Sequence, residues 1–174
     1  DTSSRILCYD IRDLGKQLQP VGMLVVLDSV FNRIIRNRKL GKSTWVYIDE
    51  IYLLFQHEYS ANFLFTLWKR VRKYGACCTG LTQNVDDLLQ SHTARTMLAN
   101  SEFLVMLNQA ATDRAELANL LNISDNQLSY ITNVDSGRGL IKCGSAIVPF
   151  MNSFPKNRLY QLMTTRPSET MAAA

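Results

Sequence analysis

The sequence predicts an α/β fold, a mostly parallel sheet flanked by helices with a late β-hairpin. Three observations predict it. Strand-like and helical patterns alternate from end to end, the order that builds parallel sheets through helical crossovers. A short β-branched and aromatic run, Thr44-Trp-Val-Tyr-Ile, ends in the adjacent carboxylates Asp49 and Glu50. The strand-like runs also end in polar residues, at Asp10, at Asp49-Glu50, at Thr82-Gln83-Asn84 and at Asn108-Gln109. In open α/β sheets ligands bind beyond the carboxyl ends of the strands. Loops are polar in any protein, so an ordinary set of strand ends meets the third observation equally well.

Residues 5–11 read as a first, short strand. From Pro20 to about Lys39 the apolar residues Val21, Leu24, Val25, Phe31, Ile34 and Ile35 recur at helical spacing, with proline in the first turn. Residues 44–49 are the second strand. Residues 61–74 place Leu64, Leu67, Trp68 and Val71 on one helical face. Residues 76–81 are a third strand and 102–107 a fourth. Helical patterns fill 93–100, 112–121 and 125–131. Residues 138–142 and 146–150 predict the hairpin, and a last helix covers about 157–164. Residues 1–167 are expected to form one domain and 168–174 a frayed tail.

Length and composition agree with this. The 174 residues are 47% hydrophobic and 20% charged, ordinary values for a globular chain with a sizeable core. The longest apolar candidate, 21–35, is interrupted by Asp28, Asn32 and Arg33, so no span of the roughly 20 residues a bilayer needs is expected. The opening Asp-Thr-Ser-Ser-Arg is not a basic-then-apolar leader, and its lack of an initiator Met suggests a piece of something longer. A net charge of +4 permits contact with nucleic acid or an anionic membrane without demanding it. Cys8, Cys77, Cys78 and Cys143 lack zinc-site spacing, so no zinc is expected. Cys77 and Cys78 would face opposite sides of a strand, and buried reduced thiols are the expected state. His57 and His92 are isolated and receive no role.

The motifs divide into a decoy and a candidate set. Gly41-Lys42-Ser43-Thr44 contains the end of a phosphate loop, but Arg36 stands where its first glycine belongs. A phosphate loop follows a strand and opens a helix, whereas this segment follows a helix and opens a strand. It reads as a glycine helix stop with trailing cations. Residues 44–50 look like the Walker B strand of a nucleotide-hydrolysing motor. There one carboxylate orients a magnesium shell and the next polarises the attacking water. An ordinary strand followed by an acidic first helical turn explains the same pair. Lys69-Arg70-Val71-Arg72-Lys73-Tyr74-Gly75 is a plain cationic helix end or a source of an arginine aimed at phosphate. Gln83 is a loop cap or a γ-phosphate sensor. Arg33, Arg36, Arg38, Lys39 and Lys42 are a solvated helix end or a contact for phosphate backbone or membrane.

Taken in order, these features are an aspartate-ended strand, a long helix, a strand with Asp-Glu, a helix ending Arg-Lys-x-Gly and a strand with Thr-Gln. Gly137-Arg-Gly-Leu-Ile follows later. Together they resemble the C-terminal motor domain of VirB4-type (TraC/TraE-like) ATPases of type IV secretion and conjugation machines. The resemblance covers residues 4–167 and is strongest at 45–84 and 137–150. It implies a RecA-like P-loop NTPase core, here partial, in a hexamer-forming, ATP- and magnesium-dependent hydrolase. Such a protein would be cytoplasmic and peripheral at the inner face of the bacterial membrane. Its partners would be other copies of itself and secretion-channel components, with DNA a further candidate. Carried over by position, Asp49 sits in the magnesium shell, Glu50 is the catalytic base and Gln83 the sensor. Arg72 is the expected finger, with Arg70 the second choice, and Arg138 approaches the nucleotide from the late glycine-rich turn.

The sequence departs from this family at one place, for no glycine-rich phosphate loop occurs in it. The backbone amides and lysine that hold phosphates are therefore expected elsewhere, and the piece alone is expected to be inactive. Two rival readings remain. One is a DNA-translocating ATPase of the coupling-protein group; the other is a non-catalytic binding or assembly module with a vestigial Walker B strand.

Overall fold

The computed structural model describes residues 4–83 and 85–164, so the expectations for Asn84 and for the tail 168–174 lie outside the described residues. The chain forms two compact units, Asp1–Asn100 and Ser101–Ala174. The first unit contains α1 (Gly15–Lys39), β1 (Thr44–Ile48), α2 (Glu58–Arg70), β2 (Ala76–Gly80), α3 (Val85–Gln90) and α4 (His92–Ala99). The second contains β3 (Phe103–Met106), α5 (Ala111–Leu121), α6 (Asp125–Leu128), β4 (Arg138–Cys143), β5 (Ala146–Met151) and α7 (Arg158–Met163). The α/β class, the parallel sheet flanked by helices and the late hairpin are those the sequence predicts.

In the first unit β1 and β2 pair in parallel, with Thr44 opposite Ala76 and Ile48 opposite Gly80. Alternation along a strand sends Val46, Ile48 and Cys78 toward a core built from Leu27 and Ile34 of α1, Leu64 and Leu67 of α2, Val71, Leu88 and Met97. Phe31 packs edge-on against Phe63 and Tyr74. On the opposite face Trp45 and Tyr47 stay 65% and 67% exposed. The chain leaves α1 through two hydrogen bonds, Gly41 N–H to the Arg38 carbonyl and Lys42 N–H to the Asn37 carbonyl. Gly41 has φ +67°. This is a glycine-terminated helix end, so the phosphate-loop look-alike is a helix stop, as the sequence predicts.

Four expectations change. Residues 5–11 form no strand; this segment lies along α1, with the Tyr9 hydroxyl hydrogen-bonded to Ser29 Oγ at 3.0 Å and Arg33 donating to the Ser4 carbonyl at 2.7 Å. Helix α1 begins at Gly15, so Pro20 lies inside it rather than in its first turn. Its segment Gln17–Lys39 is, by length and composition alone, enough to cross a bilayer, because the few polar residues that interrupt the run do not outweigh its aliphatic content. Finally, Cys8, Cys77 and Cys143 are exposed rather than buried, since Cys77 points to the open face of the parallel pair and Cys8 lies outside any strand.

Cys78 alone faces inward, opposite to Cys77 as expected. Burial, and then the neighbouring Cys77, push its thiol up to about 12. The thiolate, not the thiol, is the reacting species. At pH 8 iodoacetamide is therefore expected to alkylate Cys77 while Cys78 stays unlabelled in the folded chain, which peptide mass mapping reads directly. The folded state holds the Cys78 proton more tightly than the unfolded state does. Its contribution to stability is thus fully present below about pH 9 and lost as pH rises toward 12.

In the second unit β3, β4 and β5 form an antiparallel sheet in that order, with Met106 opposite Leu140 and Ile141 opposite Val148. Its core is Met106, Leu117, Leu121, Ile123, Ile131 and Leu140. Ser124 and Gln127 form a reciprocal capping box at the start of α6.

Candidate functional site

The tips of β1 and β2 remain joined beyond the last strand residues. Leu81 N–H donates to the Ile48 carbonyl at 2.8 Å, and Ile51 N–H donates to the Leu81 carbonyl at 2.9 Å. Between them Glu50 adopts φ 48°, ψ 49°, a left-handed conformation that few non-glycine residues hold. This turn returns Ile51 to the ladder and buries it to 6% exposure. Gly80 makes the packing feasible: a Cβ there would come within 2.5 Å of Ile51 Cδ1.

The same turn sets the carboxylates. Asp49 is exposed and its Oδ1 accepts the Glu50 N–H at 3.1 Å. Glu50 is partly buried and its Oε2 accepts the Gln83 N–H at 3.4 Å. Asp49, Glu50 and Gln83 thus share one rim, with the Glu50 carboxylate held there by the Gln83 N–H. Strained backbone of this kind clusters at functional sites. Oxygen donors at a strand tip fit magnesium, which usually takes one or two carboxylates along with water and phosphate oxygens. Among the described residues no three or more His, Cys, Asp or Glu side chains converge to hold a metal ion by themselves. Asp49 would therefore share such an ion with water and phosphate.

The other predicted residues lie elsewhere. Arg70 ends α2 and Arg72 sits in the 3-10 turn Val71–Tyr74, just before β2. Strands rise about 3.3 Å per residue, so β2 holds Gly75 and Gly80 about 16 Å apart, and Arg72 and Gln83 stand at its opposite ends. Arg138 opens β4 in the second unit, with its guanidinium 3.7 Å from Asp135. Asp10 ends no strand. Asn108 and Gln109 hold local backbone: Asn108 Oδ1 accepts the Val134 N–H, and Gln109 N–H donates to the Ile131 carbonyl. Of the four predicted polar strand ends, two share a rim in the first unit.

Sequence reasoning missed a second feature. Arg38, Arg70, Lys73 and Tyr74 line an open cleft of about 530 Å³. The signal was present: two cation-ended helices each lead into one of two strands that start side by side.

A family model described as the TraG P-loop domain matches residues 4–141. Among solved structures the chain is similar to VirB4 of Thermoanaerobacter pseudethanolicus, with a TM-score of 0.73 and 26% sequence identity; the likeness covers 84% of this chain and 41% of that one. The chain thus spans less than half the length of that VirB4. Comparison with curated protein sequences returns no match.

Proposed function

The chain belongs to the TraG P-loop domain family, and from that premise we propose that it is the C-terminal motor part of a VirB4-type ATPase that couples ATP hydrolysis to type IV secretion or conjugative transfer. The observation that carries this reading is the joined rim, where the Gln83 amide donates to the Glu50 carboxylate beside Asp49. In it Asp49 would hold a magnesium ion through that ion's water shell, and the ion would supply positive charge to neutralise the phosphates. Glu50 takes the proton of the attacking water, and Gln83 senses the γ-phosphate. Arg72 stands at the far end of β2, so it serves the nucleotide of a neighbouring copy in a ring, taken here as a hexamer. Arg138 remains an auxiliary nucleotide contact in this reading. The ring works at the inner face of the membrane with other secretion-channel components.

No glycine-rich phosphate loop occurs in these 174 residues, so the phosphates are held by a segment outside them. Calorimetry and phosphate-release assays with magnesium test this. The chain alone is expected to bind ATP more weakly than micromolar and to turn over none. A polypeptide extended upstream through a phosphate loop is expected to do both. Micromolar affinity or clear turnover by the chain alone would overturn the assignment of phosphate binding to that segment.

A further inference from the structure

We infer that Gly80 is a positioning residue for the proposed hydrolysis: its bare α-carbon seats Ile51 against the strand tip, and the seated Ile51 holds the turn that carries the Glu50 carboxylate. This role presupposes the reading of Glu50 as the base and adds the device that keeps that carboxylate in place.

Glycine weakens a strand and marks a bend or a close approach. Gly80 ends β2 opposite Ile48 and has a negative φ, so its backbone does not by itself call for glycine. The space beside it does. The three atoms nearest to where a Cβ would stand all belong to Ile51: Cδ1 at 2.5 Å, Cγ2 at 3.2 Å and Cβ at 3.4 Å. Turning Cδ1 away would relieve the first contact and leave the second, because a β-branched side chain has little freedom at χ1. Ile51 also belongs to the core cluster that contains Leu54, Leu88, Ala94 and Met97. In a close-packed interior one added methyl is felt by its neighbours.

A displaced Ile51 has one direction in which to pass the movement on. Downstream, the 3-10 turn Ile51–Phe55 is fixed at Leu54, whose carbonyl accepts the buried Ser60 hydroxyl at 2.6 Å. Upstream stands Glu50, in its left-handed conformation. A non-glycine residue keeps such a conformation only where its surroundings over-determine it. Here those surroundings are the Ile51 seat and the Ile51 N–H bond to the Leu81 carbonyl. With the seat filled by a methyl, the turn relaxes and the Glu50 carboxylate leaves the Gln83 N–H that it now accepts.

The test is a size-swap cycle. In the polypeptide extended upstream through a phosphate loop, Gly80→Ala should lower kcat about 10- to 100-fold, as misplacement of a catalytic group does. ATP affinity should stay within about threefold, since binding and chemistry separate in such a variant. Ile51→Val removes Cδ1, so in that background Gly80→Ala should cost less than about twofold, a coupling that only touching residues show. In the 174-residue chain, amide exchange followed by NMR should quicken at Ile51 and Gln83 in Gly80→Ala, while the Leu64 and Leu67 amides and the thermal unfolding midpoint stay as in the parent.

Equal loss from Gly80→Ala with Ile or Val at position 51 would overturn the inference. So would a lowered unfolding midpoint with faster exchange at Leu64 and Leu67, because the glycine would then serve the fold at large rather than the Glu50 turn. Full turnover in Gly80→Ala beside lost turnover in Glu50→Gln would overturn it and leave Glu50 as the base. Full turnover in Glu50→Gln would instead remove the base, while exchange at Ile51 and Gln83 would still decide whether Gly80 holds the turn.

Discussion

In the upstream-extended polypeptide of the proposed motor, Glu50→Gln is expected to lower ATP turnover about 10²- to 10⁴-fold, the range that general acid–base groups supply. The amide keeps the size of the side chain and an oxygen for the Gln83 N–H, so the tip should keep its shape. It cannot take a proton from water. Nucleotide affinity should remain within a few-fold, which separates loss of chemistry from loss of binding. Phosphate release at saturating ATP measures the first, and calorimetry the second. Retention of more than a tenth of the turnover would remove Glu50 from the role of base. The placement of Arg72 allows a companion test. Arg72→Ala should also be inactive, yet mixing it with Glu50→Gln should restore part of the activity, because mixed rings contain interfaces that pair an intact Glu50 with an intact Arg72. No recovery on mixing would place the finger within one copy.

Leu64→Ala is expected to cost about 3 kcal/mol, within the roughly 2–5 kcal/mol that follows from emptying a buried leucine site. Leu64 is fully buried in the core that α1, α2 and the strand pair share, so its truncation leaves a cavity shielded from solvent. Leu64→Met, which nearly conserves volume, should cost less than about 1.5 kcal/mol. Urea unfolding followed by tryptophan emission measures both, since Trp68 packs partly buried against this core. Equal stability of Leu64→Ala and the parent would mean that this core does not hold the first unit together.

Both predictions rest on elements that could be read from the residues. The strands at 44–48 and 76–80, the shared rim of Asp49, Glu50 and Gln83, the helix stop at Gly41 and the hairpin all follow from local pattern and turn chemistry. What could not be read is what depends on neighbours. Residues 5–11 have the composition of a strand, but strand preference is realised only beside a pairing edge. In the structure Tyr9 and Arg33 tie that segment to a helix instead. Strand direction leaves little mark on a short apolar run, and so the antiparallel pairing of β3 with β4 was not apparent. Helix α3 is six residues long, too short for periodicity to stand out, although Val85, Leu88 and Leu89 mark its buried side. The arginines at 70 and 72 were legible as cations near phosphate chemistry, but the sequence did not say at which end of the sheet they fall.

Main-chain bonding that runs on past the strand ends has a mechanical consequence. The turn at Glu50 and the loop at Leu81 cannot slide past one another without breaking the bonds from Leu81 to Ile48 and from Ile51 to Leu81. The strand pair is therefore stiff along its length, a short strut with an acidic head and a basic foot.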